Sequence, residues 1–152
     1  MLAGCSPKYN WRDYSSPDGH YQALFPGKPA SFTREVDLDG MKVSMTMTAA
    51  EVDGTTFAVG SAVAPDPAHA QAALAAMKTA LARNIGASIT DAKPAAGTAD
   101  IDATGSRNGV PTRLVGHFAA NGNRFYQVIV LGKASAIEQE QVEQFISSFK
   151  PQ

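Results

Sequence analysis

Four side chains in the second half of the chain could together bind an anion. The Asn121-Gly122 pair is typical of a two-residue β-hairpin loop, and that loop places His117 opposite Tyr126. Arg113 and Arg124 then lie on the same side of the hairpin. Guanidinium and imidazole groups bind carboxylates and other anions through charge-assisted hydrogen bonds. We therefore regard this group as a candidate binding face for a small ligand or anion. The alternative is the ordinary outer face of a half-covered sheet.

The single cysteine also stands in a sequence with chemical meaning. Leu2-Ala3-Gly4-Cys5 has the order of a bacterial lipoprotein cleavage box, in which the cysteine receives the lipid. A complete signal has a charged start and an apolar run before the box, whereas only Met1 stands before it here. We expect lipidation of Cys5 in the mature protein, with the signal either trimmed from this chain or encoded upstream of the printed start. The alternative is a chance Leu-Ala-Gly-Cys sequence.

Three methionines are expected on one face of a strand. Met41, Met45 and Met47 occupy odd positions of one apolar-polar alternation. Thioethers are soft ligands that suit Cu(I). The same face carries four further apolar residues: Phe32, Val36, Leu38 and Val43. We therefore interpret the methionines as core residues and predict no metal site.

The sequence carries no catalytic signature. The segment 104–109, Thr-Gly-Ser-Arg-Asn-Gly, is not the Gly-x-Ser-x-Gly nucleophile turn, and no phosphate-binding loop or dinucleotide fingerprint occurs. The three histidines, at 20, 69 and 117, are too widely spaced for a metal-ligand pattern. We expect a non-enzymatic protein without catalytic residues or cofactor. A hydrolase with an unrecognised site is the less favoured alternative, since fold does not decide function.

Composition limits the class of protein further. The 152 residues carry 13 basic and 14 acidic side chains, and the pI is near 6.3. This balance argues against nucleic-acid binding, which usually requires a basic excess, and against a polybasic membrane anchor. No apolar run reaches the length of a membrane span. One cysteine permits no internal disulfide.

Turn pairs and alternating apolar residues predict hairpins. Four pairs supply the positive-φ residues of two-residue loops: Asp39-Gly40, Asp53-Gly54, Asn108-Gly109 and Asn121-Gly122. The first places Leu38 opposite Met41 and gathers apolar side chains on one face, with Arg34 as the exception. The next strand has Phe57 on one face and Ala58 on the other, so we expect both faces to be covered. Three more strands are expected over 99–132.

Two helices are expected, one after each group of strands. Asp66 suits an N-cap, Pro67 suits the first helical position and Gly86 suits the end, which predicts a helix over 67–85. Ser135 and Glu138 have capping-box spacing and predict the start of a second helix. The order strands, helix, strands, helix indicates an α+β domain with a mostly antiparallel sheet.

The first twenty residues are polar and rich in turn formers. We interpret 1–20 as a lipobox remnant and tether, followed by a single domain over 21–152. Tyr9, Trp11 and Tyr14 are unusual in a free spacer, because aromatic groups gain free energy by leaving water. We predict that this segment packs against the domain and buries much of the Trp11 ring. The alternative leaves Trp11 exposed as a binding residue.

Two segments carry a resemblance to known proteins. The sequences YQALFPGKP (21–29) and VEQFISSFK (142–150) resemble the opening and closing segments of bacterial PsbP-like domains. That resemblance implies an antiparallel sheet with helices packed on both faces and a role in interaction or assembly. The start, LAGCSPKYNWRDY, resembles uncharacterised lipoproteins of proteobacteria. In such lipoproteins Ser6, in place of aspartate, favours the outer membrane, facing the periplasm.

These observations favour two functions. The first is a lipid-anchored cell-envelope domain that binds or scaffolds an envelope protein partner and is held on the membrane through Cys5. The second is a small-ligand or anion-binding domain that uses the face of Arg113, His117 and Tyr126. Without its signal, the printed chain should be soluble and unlipidated. No nucleic-acid partner is expected.

Overall fold

The computed structural model describes residues 9–87, 93–95 and 98–152, and shows an α+β protein with mostly antiparallel sheets. The first five strands are β1 (Arg12–Ser16), β2 (Tyr21–Phe25), β3 (Ala30–Leu38), β4 (Met41–Val52) and β5 (Thr55–Val63). The other strands are β6 (Lys93–Ala95), β7 (Thr98–Arg107), β8 (Val110–Asn121), β9 (Arg124–Lys133) and β10 (Lys150–Pro151). The helices are α1 (Pro67–Asn84), which follows β5, and α2 (Gln139–Ser148), which follows β9. The predicted class is therefore confirmed.

The strands form two sheets. A seven-stranded sheet has the order β3-β4-β5-β9-β8-β7-β6, and a three-stranded sheet has the order β1-β2-β10. The strands β1, β2 and β10 were not predicted from the sequence. The strand β1 lies inside the segment interpreted as a tether and pairs along its whole length with β2.

Three of the four predicted hairpin loops are confirmed. Asp39, Asp53 and Asn108 have positive φ, as do the glycines that follow them. The first loop pairs Leu38 with Met41 as predicted. The same register sets Arg34 opposite Met45, and the guanidinium carbon of Arg34 lies 6.0 Å from the centroid of the Phe32 ring.

The fourth loop differs from the prediction by one residue. Asn121 pairs with Arg124, so the two central residues are Gly122 and Asn123. Gly122 has φ +63°, whereas Asn123 has no positive φ, which matches a turn that needs glycine first. The pairing therefore shifts by two residues: His117 lies opposite Val128, not Tyr126. Such an even shift leaves every side chain on its predicted face.

Two hydrophobic clusters hold the fold together. We call them the α1 cluster and the α2 cluster after the helix that contributes to each. The α1 cluster is mainly aliphatic and includes Val43, Met45, Ala58, Leu74, Met77, Leu114 and Ile129. The α2 cluster is rich in aromatic rings and includes Tyr21, Phe25, Phe57, Tyr126, Val128, Phe145 and Phe149. Because Phe57 and Ala58 are neighbours in β5 yet belong to different clusters, both faces of this strand are covered.

The two helices begin differently. The Asp66 carboxylate accepts a hydrogen bond of 2.8 Å from the His69 amide, and this bond lowers the pKa of the Asp66 carboxyl. Helix α1 then follows over nearly the predicted residues. In α2 the predicted capping box is wrong: the N-cap is Glu138, which makes no side-chain capping bond, and the helix begins at Gln139.

Candidate functional site

Arg113 is engaged by a neighbouring carboxylate. Its Nε and Nη2 atoms donate to the two carboxylate oxygens of Asp102 at 2.9 and 2.8 Å, and Nη2 also donates to the Gln139 side chain at 2.8 Å. The hydrogen bond with Asp102 raises the pKa of Arg113. Such a two-pronged pair satisfies the guanidinium fork. Arg113 therefore binds within the fold rather than offering its charge to a ligand.

The predicted anion-binding residues are spread along the hairpin. Arg113 lies near the start of β8, whereas Arg124 of β9 pairs with Asn121 at the end of β8. These positions are eight residues apart, or about 26 Å at a strand's rise per residue. Between them, His117 has an edge-on contact with the Phe149 ring, with centroids 6.2 Å apart. The structure thus does not bring the two arginines to one small-molecule site.

Tyr126 is fully buried and has a positioning role. Its hydroxyl donates toward the carbonyl oxygens of Gly19 and His20, at 2.8 and 2.9 Å. Burial raises the pKa of Tyr126. Gly19 and His20 belong to the turn between β1 and β2. The Tyr126 hydroxyl therefore holds this turn against the long sheet.

The turn forms one wall of a groove of about 680 Å³. The floor is a set of six hydroxyl side chains, and we call the site the hydroxyl groove. The floor residues are Ser31, Thr33, Ser44, Thr46, Thr48 and Ser61. The wall continues through the segment 14–21 and includes Tyr14, Asp18 and Tyr21. The volume lies in the range of small-ligand sites in proteins.

Strand register explains why the hydroxyls converge. Ser31 lies opposite Thr48 and Thr33 opposite Thr46, and the two oxygens of each pair are 2.7 Å apart. Thr46 also pairs with Ser61 of β5. Alternate residues of a strand share a face, so these side chains lie on the same face as the α2 cluster.

Tyr21 stands at the buried end of the groove. It is 2% exposed, and its hydroxyl has no hydrogen-bond partner among the residues that the structure describes. Burial raises the pKa of Tyr21 to about 12. The Thr48 hydroxyl opposes this rise, but it bonds to Ser31 and does not reach hydrogen-bond geometry with the phenol. A buried phenol without a partner costs stability, which makes this atom notable in a ligand-sized groove.

Arg124 supplies positive charge to the groove. Its Nη1 atom lies 3.4 Å from the Ser61 hydroxyl, at the outer limit of a hydrogen bond. Within the described part of the chain, no acidic side chain forms an ion pair with it. Of the residues predicted to bind, Arg124 is the one that lines the groove. The hydroxyl residues were missed, because Ser and Thr on the polar face of an alternating strand look like ordinary surface.

The aromatic segment before β1 packs on the domain, as predicted. The Trp11 ring stacks on Tyr9 at a centroid distance of 6.0 Å and meets the Phe57 ring edge-on at 6.0 Å. The Tyr9 hydroxyl donates to the Glu138 carboxylate at 3.1 Å. Trp11 is half-buried, so part of its ring still meets solvent. Cys5 lies outside the described residues.

The positions of the possible metal-ligating side chains and the character of the helices bear on two further functions. In residues 9–87 and 98–152, no group of three or more His, Cys, Asp or Glu side chains is placed to hold a metal ion. None of the described helices has the length and hydropathy needed to cross a membrane.

No protein-family model matches the chain, and the curated proteins contain no significant match.

Proposed function

We propose that this protein is a non-enzymatic binding domain of the bacterial cell envelope, held on the outer membrane by lipid on Cys5. The observation that carries the binding role is the hydroxyl groove. It combines a ligand-sized volume, a floor of hydroxyl groups and the guanidinium of Arg124, which has no acidic partner in the described chain. Pockets with a few convergent polar groups are the usual sites of ligand binding.

The proposal of binding without catalysis rests on the groups that line the groove. Hydroxyl nucleophiles need an adjacent base to activate them. Among the described lining residues there is no histidine, lysine or cysteine, and the carboxylate present is that of Asp18 in the β1–β2 turn. The floor hydroxyls Ser31, Thr33, Thr46 and Thr48 bond to one another instead.

We also propose a PsbP-like arrangement, with one helix against each face of the long sheet. The support is the alternation of β5 and β9 between the two clusters. Phe57 and Val128 contribute to the α2 cluster, whereas Ala58 and Ile129 contribute to the α1 cluster. Together with the segments 21–29 and 142–150, this alternation favours an interaction domain over an enzyme.

The envelope location rests on the Leu-Ala-Gly-Cys box and on the short distance from Cys5 to the folded segment. Several acyl chains anchor a protein stably, whereas one chain anchors it weakly. Mass spectrometry of protein extracted from membranes of the native host should therefore find Cys5 carrying diacylglycerol and an N-acyl chain. The matched variant Cys5→Ser should move from the membrane to the soluble fraction with an unchanged thermal unfolding midpoint. Native protein with an unmodified Cys5 would refute the anchor.

A further inference from the structure

We propose that the ligand of the hydroxyl groove is a short oligosaccharide that carries a carboxylate. This inference rests on the proposed binding function and names the chemistry that the groove selects. Three properties point to this class: the hydrogen-bonding capacity of the floor, the positive charge of Arg124, and the exposed apolar side chain of Val63 beside the floor.

The floor can both donate and accept hydrogen bonds. A hydroxyl has one hydrogen and two lone pairs. In each pair, Ser31–Thr48 and Thr33–Thr46, one hydrogen is used between the partners, which leaves one hydrogen and several lone pairs free. Ser44 adds a further exposed hydroxyl. A ligand rich in hydroxyl groups matches this mixture, whereas an apolar ligand would leave the floor desolvated and unpaired.

The groove also becomes drier toward its inner end. Ser31, Thr33 and Ser44 are exposed, whereas Thr48 is 2% exposed. The unpartnered phenol of Tyr21 lies at this inner end. Hydrogen bonds formed away from water contribute more to affinity than those formed at the surface. The phenol oxygen is closed to solvent, so a sugar hydroxyl would reach it only if the β1–β2 turn moved outward, and it would then supply the partner that the phenol lacks.

The charge pattern indicates one anionic group. Arg124 has five N–H donors, and the contact that it makes with Ser61 is a long one of 3.4 Å. A guanidinium binds a carboxylate through two parallel hydrogen bonds. Asp18 lines the same groove, so a ligand with several phosphates would meet repulsion there and find little compensating charge.

One apolar side chain borders the hydroxyl floor. Val63 is 49% exposed, lines the groove and lies on the same face of β5 as Ser61, two residues before it. A sugar ring offers C–H groups on its faces and hydroxyls at its edges, so it can contact Val63 and the polar floor at once.

The test is a nuclear magnetic resonance titration of the chain with the disaccharide galacturonosyl-galactose, which carries one carboxylate, compared with the neutral galactobiose of the same linkage. Amide signals of Ser31, Thr46 and Thr48 should shift with both sugars. The acidic sugar should bind about tenfold more tightly, because it adds a charge-assisted hydrogen bond. Absence of shifts in these amides with either sugar would overturn the proposal. Equal affinities would overturn the carboxylate assignment.

Two variants and a matched control identify the groups involved. Arg124→Gln should bring the affinity for galacturonosyl-galactose down to that for galactobiose, whereas Arg107→Gln, at an exposed arginine at the end of β7, should not. Ser44→Ala should weaken both sugars, and its exposed position keeps the fold intact. An equal loss in both arginine variants would show general charge attraction and overturn the site. Inorganic phosphate that binds at Arg124 more tightly than galacturonosyl-galactose would overturn it as well.

The outcome is separable from that of the membrane anchor. The titration uses protein without lipid, so an unmodified Cys5 in the native host would leave the sugar result standing. Conversely, a lipidated protein whose groove ignores both sugars would keep its anchor and lose this ligand.

Discussion

One face of the long sheet is divided into an aromatic half and a hydroxyl half. Both are built from the same alternate positions of neighbouring strands. In β4, Ala50 belongs to the aromatic α2 cluster, while Thr46 and Ser44 line the groove, and Thr48 marks the change between them. In β5, Phe57 and Ser61 show the same division. One strand therefore serves stability at one end and a candidate binding site at the other.

The aromatic half shows what full covering requires. Phe145 of α2 lies 5.4 Å from the Phe25 ring and 5.5 Å from the Phe57 ring, and all three are buried. The hydroxyl half faces the β1–β2 turn across an open groove instead. The contrast indicates that ring packing stabilises one half of this face, while the other half leaves its hydroxyl surface available for a ligand.

Truncation of Phe145 should cause the largest loss of stability, because it disrupts the ring packing of the aromatic half. Phe145→Ala should lower the free energy of unfolding by about 3–5 kcal/mol, because it removes apolar contacts and leaves a cavity. Urea unfolding followed by circular dichroism measures the change. A loss below about 1 kcal/mol would mean that α2 is not packed on the rings as described.

Alkaline pH should lower the stability of the protein through Tyr21, which lies where the two halves meet. The pKa of Tyr21 is raised to about 12, from an ordinary value of 10.0, because the phenol is buried. Between these values the unfolded chain loses a proton that the folded chain retains, so stability present below pH 10 is lost as the pH rises toward 12. The loss should be about 2–3 kcal/mol, measured by urea unfolding at several pH values. Tyr21→Phe should lose distinctly less over the same pH range.

A comparison of two tyrosines sharpens the difference in hydrogen bonding. Tyr126→Phe removes a buried donor from the carbonyls of Gly19 and His20, and should cost about 1–2 kcal/mol at neutral pH. Tyr21→Phe removes a phenol without a partner in the described chain, so it should be neutral or slightly stabilising. Thermal unfolding of both variants decides this. Equal destabilisation would show that the Tyr21 hydroxyl is bonded in solution.

The smallest effect is expected in the hydroxyl half. Thr46→Val keeps the shape of the side chain and removes one hydroxyl from a partly exposed pair with Thr33. Its free energy of unfolding should change by less than about 0.5 kcal/mol, while saccharide binding weakens. Parallel chemical unfolding and titration test the pair of outcomes. A large stability loss would place Thr46 in the core and remove the contrast between the halves.

The sequence predicted the long sheet well, because its signals are local. Asp-Gly and Asn-Gly pairs specify three loops as predicted. At Gly122 the predicted pairing was wrong by two residues, and an even shift leaves Leu114, Phe118 and Phe125 on their predicted face. The start of α2 was mistaken, since Ser135 and Glu138 match a capping box only in spacing. Local patterns specify which face a residue takes more reliably than which residue it contacts.

The groove could not be predicted, because its wall comes from distant contacts. Gly19 and His20 are held by Tyr126, more than 100 residues away in sequence. No periodic pattern marks β1 as a strand, β2 is only five residues long, and β10 pairs with β2 from far along the chain. The hydroxyl side chains were visible in the sequence, but the wall that makes them a groove was not.

The pairing of the first strand fixes where an anchored protein would hold its groove. The Asn10 amide donates to the Pro26 carbonyl at 3.0 Å, and the Tyr9 hydroxyl donates to Glu138. The folded part of the chain therefore includes Tyr9, which is four residues after Cys5. A span of four residues reaches at most about 14 Å. The strand β1 then runs from Arg12 to Ser16, which lines the groove, a further distance of about 13 Å at a strand's rise per residue. A lipidated molecule would thus keep its folded domain within about 14 Å of the residue that carries the lipid, and so close to the bilayer surface.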